Sequence, residues 1–553
     1  MDSLHPFEFE HPQLGRLVGR RRNEHVVQFR SIPYGRAPAR FRQARLIDEL
    51  PPKQKTCTEY TYACPQEEQS MEPFGGPLPG EDQRHYDEFS CLNLTVTAPA
   101  ALLEPGCTEK VPVMVYVHGG GFMAGAHYGG PHDMTPMATL ACEDSKPVII
   151  VSIHYRLHFL GFLACQDLID EAASHNKDPC NFALYDQRLA FLWTQKYISG
   201  FGGHADQVTA FGESAGSASL CFHLSSKVPL FNRVILQSGT ASTICPTPRS
   251  KKEEEYQALL AFCGIGKDDP QRLVKLREVP ATKIVKAATT LTKGALSLLA
   301  YESFFSTAPD YFNHGQIVAD CPWVEAVMAG DAIYEGYLFA HNLKTVQVED
   351  FREHVQNILG AEKAQKVSQL YDISAGMDPN LFWTQLCTFC GDVMFSLPCH
   401  KLLQAATQSR KQIYRYTLSL RNPFPGSFFS GVLGHHFIEL AYQFMTLMER
   451  FPLQKQRDIS IGFARKWTAF AYGDDPWAPY MLADETMAVA DSREGWVVRT
   501  RAEDMETSAD DEGGQRRYTQ WEALDAVFSE LGDEAVAAVA ALSFPTLVTL
   551  AKH

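Results

Sequence analysis

The sequence predicts an α/β fold with a large, mostly parallel central sheet that helices cover on both faces. Stretches with the apolar pattern of buried strands alternate with helical stretches between residues 111 and 239. Such alternation is typical of a parallel sheet whose crossover connections are helices. A Gly-x-Ser-x-Gly stretch at residues 212–216 lies where one of these strands passes into a helix. A serine at such a junction occupies a tight turn, and its hydroxyl projects above the sheet.

The first hundred residues predict short strands followed by one long loop. In the stretch 15–41, short strands flank a basic turn at residues 20–22. Prolines exclude a helix at the end of this stretch. A Gly- and Pro-rich stretch follows between Cys64 and Cys91. Because long connections of this kind are usually functional or disordered, this loop is a candidate for involvement in the site.

The remaining elements follow in chain order. Strands are predicted at 111–117, 148–155, 208–211 and 233–239, with a helix at 186–197. From about 250 to 405, long helical stretches rich in aromatic residues predict a helical insertion over the loop end of the sheet. A strand at 413–418, a helix at 459–472, an acidic surface loop at 503–514 and a helical stretch at 522–542 complete the chain. Since a large α/β enzyme can form one domain, we expect a single domain over residues 1–553.

The composition favours a well-cored globular protein and disfavours several classes of partner. The chain has 50 Lys+Arg and 65 Asp+Glu residues, so its net charge is −15. This charge disfavours nucleic acid, whose phosphates need a basic surface, and it disfavours anionic membrane surfaces. No run of about 18 apolar residues predicts a membrane span. The first residues lack the features of a secretory signal, so we expect a cytoplasmic protein whose 14 cysteines are mostly reduced.

A serine nucleophile needs a base, an orienting acid and donors for the oxyanion that forms on attack. Residues 118–122, His-Gly-Gly-Gly-Phe, follow a predicted buried strand, and glycines there let backbone N–H groups turn toward a substrate. A glycine triplet can also be only a flexible turn, but its order relative to the serine stretch favours catalysis. The predicted oxyanion donors are the amides of Gly120, Gly121 and Ala215.

With these motifs in place, the chain resembles the type-B carboxylesterase/lipase family, the cholinesterase-like α/β-hydrolases. Matching motifs are spread over the first 240 residues, and a patchier match continues to residue 480. The resemblance implies an α/β-hydrolase fold and places the nucleophile at Ser214. The matching segments are residues 29–38, 91–94, 118–122, 155–156, 185–187, 201–203, 212–216, 237–239, 473–475 and 477–480.

The resemblance also implies a glutamate and a histidine. The family's acid is usually a Glu followed by Gly well downstream of the serine, which points to Glu335. Its histidine precedes a Glu-Leu pair by three positions, and alignment on Glu439 selects His436, with His435 as the rival. The rivals of the glutamate are Asp320, Glu325 and Asp331.

Two residues next to the motifs are candidates for substrate binding. Phe122 follows the glycine triplet, and Glu213 precedes the serine. Aromatic residues around Phe122 and in the 300–390 region favour an apolar gorge, although packing in a hydrophobic core explains them equally well.

The chain departs from the family pattern at Phe89 and Ser90, where a Glu-Asp pair is usual. We therefore expect Glu88 or Asp87 to take over as the carboxylate partner of Arg156. Secreted members bridge the cysteines equivalent to those at 64 and 91. That bridge is in doubt in a reducing compartment, and without it the loop between them would move like a lid.

Three functions are compatible with the sequence. The first is hydrolysis of small to medium apolar carboxylic esters or lactones through an acyl-enzyme. The second is an acyltransferase or cyclising enzyme that uses the same residues, and the third is a non-catalytic binding module. We expect no cofactor and no metal, because Cys387, Cys390, Cys399 and His400 fit a buried helix better than a four-ligand zinc site. The expected partner is a small ester, and the chain is expected to be a monomer or a homodimer.

Overall fold

The computed structural model describes residues 5–79, 83–173, 178–292, 298, 304–508 and 516–540. The strands are β1 (Pro6–His11), β2 (Gly15–Arg21), β3 (Val26–Pro33), β4 (Gly35–Arg36), β5 (Arg45–Leu46), β6 (Tyr62–Ala63), β7 (His85–Tyr86), β8 (Asn93–Pro99), β9 (Val111–Val117), β10 (Ile149–Ile153), β11 (Gly203–Glu213), β12 (Arg233–Gln237), β13 (Ala326–Ala332), β14 (Gln412–Ser419), β15 (Met487–Asp491) and β16 (Gly495–Arg499).

Helices lie between most of the strands of the central sheet. No helix in the described ranges is both long enough and apolar enough to cross a bilayer. The helices are α1 (Thr135–Glu143), α2 (His158–Phe162), α3 (Gln166–Ala173), α4 (Phe182–Tyr197), α5 (Ala215–Leu224), α6 (Arg249–Cys263), α7 (Arg272–Glu278), α8 (Ala281–Thr292), α9 (His314–Asp320), α10 (Ala340–Leu343), α11 (Val348–Leu359), α12 (Ala361–Leu370), α13 (Pro379–Gly391), α14 (Leu397–Ala406), α15 (Gln454–Tyr472), α16 (Arg501–Ser508), α17 (Tyr518–Phe528) and α18 (Asp533–Ala540).

Within the described ranges, twelve strands form one sheet in the order β1-β2-β3-β8-β10-β9-β11-β12-β13-β14-β15-β16. The pairs from β10 through β9, β11, β12, β13 and β14 to β15 are parallel. The pairs on either side, from β1 through β2, β3 and β8 to β10 and between β15 and β16, are antiparallel. The predicted α/β fold with a mostly parallel central sheet is confirmed.

The two faces of the sheet bury separate hydrophobic clusters. Val113, Val115 and Val117 of β9 belong to one cluster, and Met114 and Tyr116 belong to the other. Helices α4 and α5 pack on the first face, and α1 and α15 pack on the second. Burial on both faces explains why the sequence of this strand is continuously apolar instead of alternating.

The stretch predicted as one helical insertion, about 250–405, is divided by a strand. Strand β13 lies within it and pairs with β12 and β14 at the centre of the sheet. Helices α6 to α9 therefore precede this strand, and α10 to α14 follow it. The strand was missed because its short apolar run is bounded by helices, and so short a run does not distinguish a strand from a buried helix.

The acidic loop predicted at 503–514 is wrong in its first part, because Arg501–Ser508 is helix α16. Asp504 of this helix is fully buried, and its carboxylate accepts a hydrogen bond of 2.8 Å from Arg516 Nε. Residues 509–515 lie outside the described ranges. Helix α17 packs the aromatic side chains of Trp521 and Phe528 into a third hydrophobic cluster with α11, α12 and α13.

Candidate active site

Ser214 occupies the sharp turn between β11 and α5. Its backbone φ is +56° and its ψ is −121°, a conformation that residues with a side chain rarely adopt. The turn is held on both sides, because the Ser214 N–H donates to the Gln237 carbonyl at 2.8 Å and the Ala218 N–H donates to the Ser214 carbonyl at 2.9 Å. The half-buried hydroxyl therefore stands at the carboxyl end of β11 and at the amino end of α5.

The two glycines that flank this serine are required by the close approach of β9. A Cβ atom on Gly216 would lie 2.1 Å from the Val117 carbonyl oxygen. A Cβ atom on Gly212 would lie 2.7 Å from the same oxygen. Since backbone atoms cannot move away as a flexible side chain can, a side chain at either position would displace the turn.

One imidazole joins Ser214 to Glu335. The Nε2 atom of His436 lies 2.9 Å from Ser214 Oγ, and its Nδ1 atom lies 2.5 Å from Glu335 Oε2. The carboxylate accepts only, so Nδ1 carries the proton and Nε2 is free to accept the serine hydroxyl proton. The three side chains are adjacent even though 222 residues separate the serine from the histidine.

Glu335 is fixed at the carboxyl end of β13. Its Oε1 atom accepts a hydrogen bond of 2.7 Å from the Ala332 N–H, and the side chain is fully buried. A Cβ atom on Gly336 would lie 1.8 Å from the Cys387 carbonyl oxygen of α13. The glycine that follows the glutamate is therefore needed because a helix backbone packs directly against it.

The loop that carries His436 is attached to the loop that carries the glutamate. The Tyr334 N–H donates to the Gly434 carbonyl at 2.7 Å, and a Cβ atom on Gly434 would lie 2.3 Å from the Ile333 side chain. The Phe395 ring packs against the imidazole of His436 with 4.5 Å between ring centroids. Phe395 lies on a π-helical turn, Asp392–Ser396, a type of irregularity that is frequent at functional sites.

The rival histidine, His435, faces away from the serine. Its Nδ1 atom donates to the carbonyl of His436, and its Nε2 atom accepts from the Asn422 side-chain amide at 2.9 Å. Burial lowers the pKa of His435 to about 3. Both nitrogens are therefore committed to hydrogen bonds that need a neutral ring, and neither contacts Ser214 or Glu335.

The predicted oxyanion donors lie beside the serine. Gly120 and Gly121 have φ values of +108° and +62°, and a Cβ atom on Gly119 would lie 3.1 Å from Ser214 Cβ. Ala215 is the first residue of α5, so its N–H has no acceptor within the helix. In the described part of the chain, the N–H groups of Gly120 and Gly121 donate to no backbone carbonyl. The absence of these backbone partners is what the predicted role as oxyanion donors requires.

The chain matches the carboxylesterase family over residues 9–505. It belongs to this family. Lipase 1 of Yarrowia lipolytica is 28% identical over 81% of this chain and 84% of its own length. Para-nitrobenzyl esterase of Bacillus subtilis is 30% identical over 67% of this chain and 73% of its own length. A solved thermophilic PNB esterase has the same fold, with a TM-score of 0.70 and 23% identity over 89% of this chain and 97% of the other. The predictions of a carboxylic ester hydrolase and of an α/β-hydrolase fold are confirmed.

Two further carboxyl groups of this carboxylesterase lie buried around His436. Glu213 Oε1 is 3.2 Å from His436 Nε2, and Glu439 accepts a hydrogen bond of 3.4 Å from Ser238 Oγ. Burial and the charge of Glu335 raise the pKa of Glu213 well above 4.5. Burial, Glu213 and Glu335 raise the pKa of Glu439 to about 8. Both carboxyl groups therefore keep their protons to a higher pH than an exposed glutamate does.

Phe122 and the three rivals of Glu335 lie outside the hydrogen-bonded group around His436. The ring of Phe122 is fully buried against Phe162, with 4.5 Å between centroids, so in this conformation it packs in the core beneath the glycine loop. Among the rival acids, Asp320 is exposed at the end of α9, Glu325 pairs with Arg233, and Asp331 bonds Thr417. None of the three contacts His436.

The loop between Cys64 and Cys91 borders the histidine loop. The Phe74 ring lies 6.0 Å from the ring of Phe437, the residue after His436. The guanidinium of Arg450 donates to three carbonyls of this loop, those of residues 74, 76 and 77, at 2.6 to 2.7 Å. Both cysteines are buried free thiols, and a hydrogen bond to Cys64, together with burial, raises the pKa of Cys91 well above 9.0.

The prediction that Glu88 or Asp87 is the carboxylate partner of Arg156 is wrong. Asp186 of α4 holds this guanidinium, with Nε to Oδ2 at 2.7 Å and NH2 to Oδ1 at 2.8 Å. Glu88 instead pairs with Arg40, whose Nε lies 2.7 Å from Glu88 Oε2. Asp186 lies on a predicted helix, and its sequence position gave no indication that it would lie opposite Arg156.

Two features around Ser214, Glu335 and His436 were not predicted to lie at the site. Phe395 carries no local signal, because it is one aromatic residue in a long helical stretch. Glu439 served only to align the histidine, yet it lies in the same buried carboxyl cluster. Among the described residues, no group of three or more His, Cys, Asp or Glu side chains is arranged to hold a metal ion.

Proposed function

We propose that the protein hydrolyses carboxylic esters through an acyl-enzyme on Ser214, with His436 as general base and acid and Glu335 as its orienting carboxylate. The observation that carries the proposal is a single imidazole within hydrogen-bonding distance of both a serine on a strained turn and a buried glutamate. An isolated serine or histidine would serve packing equally well. This linked arrangement matches what nucleophilic catalysis requires.

In acylation, Ser214 Oγ attacks the ester carbonyl carbon while His436 Nε2 takes the hydroxyl proton. The carbonyl oxygen becomes an oxyanion, and the N–H groups of Gly120, Gly121 and Ala215 stabilise it in a geometry that needs no rearrangement. The carbon–oxygen bond to the alcohol then breaks. The imidazolium gives its proton to the departing oxygen, and the acyl group remains on the serine.

In deacylation, water replaces the alcohol. His436 takes a proton from the water, whose oxygen attacks the acyl carbon. The same three amides bind the second oxyanion, the bond to Ser214 Oγ breaks, and the proton returns to that oxygen. The Glu335 carboxylate keeps the Nδ1–H proton in place throughout and stabilises the imidazolium in both halves of the reaction.

The proposed substrates are small to medium apolar esters, lactones included. The Phe395 ring beside His436 supports an apolar acyl or alcohol group at the reacting centre. The name of the Bacillus relative, para-nitrobenzyl esterase, supports the same substrate class.

Turnover of a series of nitrophenyl esters with increasing acyl length tests the proposal. Ser214→Ala should lose turnover while keeping its thermal unfolding temperature, because the alanine removes only the nucleophile. Ser217→Ala, three residues further on in the first turn of α5, is the matched control, because the Ser217 hydroxyl donates to the Gly239 carbonyl and not to the histidine. Wild-type turnover by Ser214→Ala would overturn the serine mechanism.

Product analysis with an added alcohol separates hydrolysis from acyl transfer. The proposal predicts that the free acid remains the main product when an apolar alcohol is present below saturation of the aqueous phase. A transesterified product that dominates at low alcohol concentration would instead assign the acyl-enzyme to a transferase.

A further inference from the structure

Three histidines are buried together beneath the glycine loop that carries the oxyanion donors. His118, His127 and His154 are each 1% exposed, and they form what is called here the imidazole cluster. The centroids of His127 and His154 are 3.9 Å apart, and those of His118 and His154 are 6.0 Å apart. His118 immediately precedes the glycines, so the cluster lies directly against the loop.

His118 supports the loop by packing and by a hydrogen bond. Its ring stacks on Tyr155 with 4.4 Å between centroids, and its Nδ1 atom lies 2.9 Å from the Gly119 carbonyl oxygen. A Cβ atom on Gly125, at the other end of the loop, would lie 2.3 Å from the same Nδ1 atom. The ring therefore fills the space between the two ends of the loop.

The hydrogen bonds of the cluster leave two of its ring nitrogens without a partner among the described atoms. Asn93 Oδ1 accepts from His127 Nε2 at 3.1 Å and from His154 Nδ1 at 3.3 Å, while the Asn93 amide nitrogen donates to two carbonyls. Ser152 Oγ lies 3.3 Å from His127 Nδ1. Among the described atoms, His118 Nε2 and His154 Nε2 have no partner. A second proton on either ring would create a buried cation whose new N–H has no acceptor.

No described carboxylate bonds the cluster to offset such a charge. Glu213 lies beside Gly119 of the glycine loop, but its Oε1 atom is 3.2 Å from His436 Nε2. Burial lowers the pKa of His118 to about 4, and burial with neighbouring imidazoles lowers the pKa values of His127 and His154 well below 6.5. The other titratable groups facing the cluster are Arg84, His132, Tyr34, Tyr60, Tyr128 and Tyr155.

We propose that the imidazole cluster is an acid-sensitive support of the oxyanion loop, which holds the glycines in place while its rings are neutral and releases them when the rings take up protons. The proposal rests on the oxyanion role proposed above only for its effect on activity. The opening of the loop itself does not depend on that role.

The direction of the pH effect follows from proton linkage. A ring exposed by loop opening regains a pKa near 6.5, so the open form binds more protons than the closed form below about pH 6.5. The closed form is therefore fully favoured above that pH and loses its advantage as the pH falls. Each proton taken up on opening raises the open-to-closed ratio by about tenfold per pH unit, and up to three protons act together.

Two conservative variants test the role of the rings. His154→Asn keeps a donor at the position of Nδ1, and His127→Gln keeps a donor at the position of Nε2, so the bonds to Asn93 can survive without a titratable group. His25→Gln is the control, since this imidazole lies on the surface. Each protein is incubated at a series of pH values between about 4.5 and 8, the range in which histidine titration is expected. Hydrogen exchange measured at each pH, and divided by the intrinsic exchange rate at that pH, then reports opening of residues 119–130 relative to α15.

Wild type and His25→Gln should open this loop steeply on acidification, before α15 exchanges. Each variant should reduce the steepness by about one proton and shift the midpoint to lower pH. Unchanged midpoint and steepness in the variants would overturn the proposal, and either variant suffices if the other does not fold. Ser214→Ala should show the wild-type response, so this result and a failure of the proposed serine mechanism are distinguishable.

Discussion

His435 and His436 have the same side chain and opposite surroundings. The ring of His436 bonds a serine and a carboxylate, whereas the ring of His435 bonds a backbone carbonyl and an amide. The position of Glu439 in the sequence selected His436 as the base. Spacing could not show why, because the reason is the direction in which each ring leaves the loop.

The histidine pair gives the first prediction. His436→Ala should lower turnover by roughly four to six orders of magnitude, because removing one member disables a unit that works together. His435→Ala should cost far less turnover and mainly lower stability, since it leaves the Asn422 amide without its buried partner. Steady-state kinetics and thermal unfolding of both variants measure this. A dead His435→Ala and an active His436→Ala would contradict the assignment.

Glu439 gives a prediction about stability and pH. Its folded pKa of about 8 exceeds the ordinary value of 4.5, so its contribution to stability is full below pH 4.5 and is lost as the pH rises toward 8. Glu439→Gln removes this titration. The unfolding temperature of the variant should therefore rise relative to wild type as the pH increases from about 5 to 8. A difference that stays constant across this range would show that folding does not raise the pKa of this carboxyl.

At the scale of elements, the strands that precede the glycine loop and Ser214 were predicted, whereas strand β13 and helix α16 were not. Both strands run into glycine motifs that mark their carboxyl ends. The strand at 111–117 is continuously apolar, and residues 208–211 are the last part of the longer strand β11 before its Gly-Glu end. Strand β13 and helix α16 have short or charged sequences whose structure depends on neighbours far away in the chain. Asp504 illustrates this, because its burial depends on Arg516.

The serine turn gives a prediction about its glycines. Gly216→Ala should destabilise the turn by about 1–3 kcal/mol or more and should abolish labelling of the serine, because the new methyl meets a backbone oxygen of β9. Gly266→Ala is the control, since nothing lies within 4 Å of its Cβ position. Thermal unfolding and phosphonate labelling of both proteins test the prediction. Wild-type labelling of Gly216→Ala would contradict the steric account.

The loop at residues 71–79 gives a prediction about access to the site. Arg450→Met removes the guanidinium that donates to three of its carbonyls, so limited proteolysis should cut this loop faster than in wild type. A bound apolar inhibitor should slow cutting in wild type if the loop covers the site as a lid. Arg16→Met, which changes an exposed side chain far along the chain, is the control. Equal cutting of all three proteins, with and without inhibitor, would argue against a lid.

At the scale of the whole molecule, the candidate catalytic residues all lie at one edge of the sheet. The glycine loop, Ser214, Glu335 and His436 follow β9, β11, β13 and β14, which run parallel in the centre of the sheet. Because parallel strands end at the same edge, motifs distant in sequence meet there. That rule made the meeting of Ser214, Glu335 and His436 predictable, whereas the buried carboxyl and imidazole groups around them depend on packing that no motif records.

The most direct test of the serine mechanism is to map the residue that an organophosphonate modifies. The account predicts one adduct per chain on the peptide that contains Ser214, formed in parallel with the loss of esterase activity. It also predicts no adduct on folded Ser214→Ala. Stoichiometric labelling of another residue, or inactivation of Ser214→Ala by the same reagent, would contradict the account.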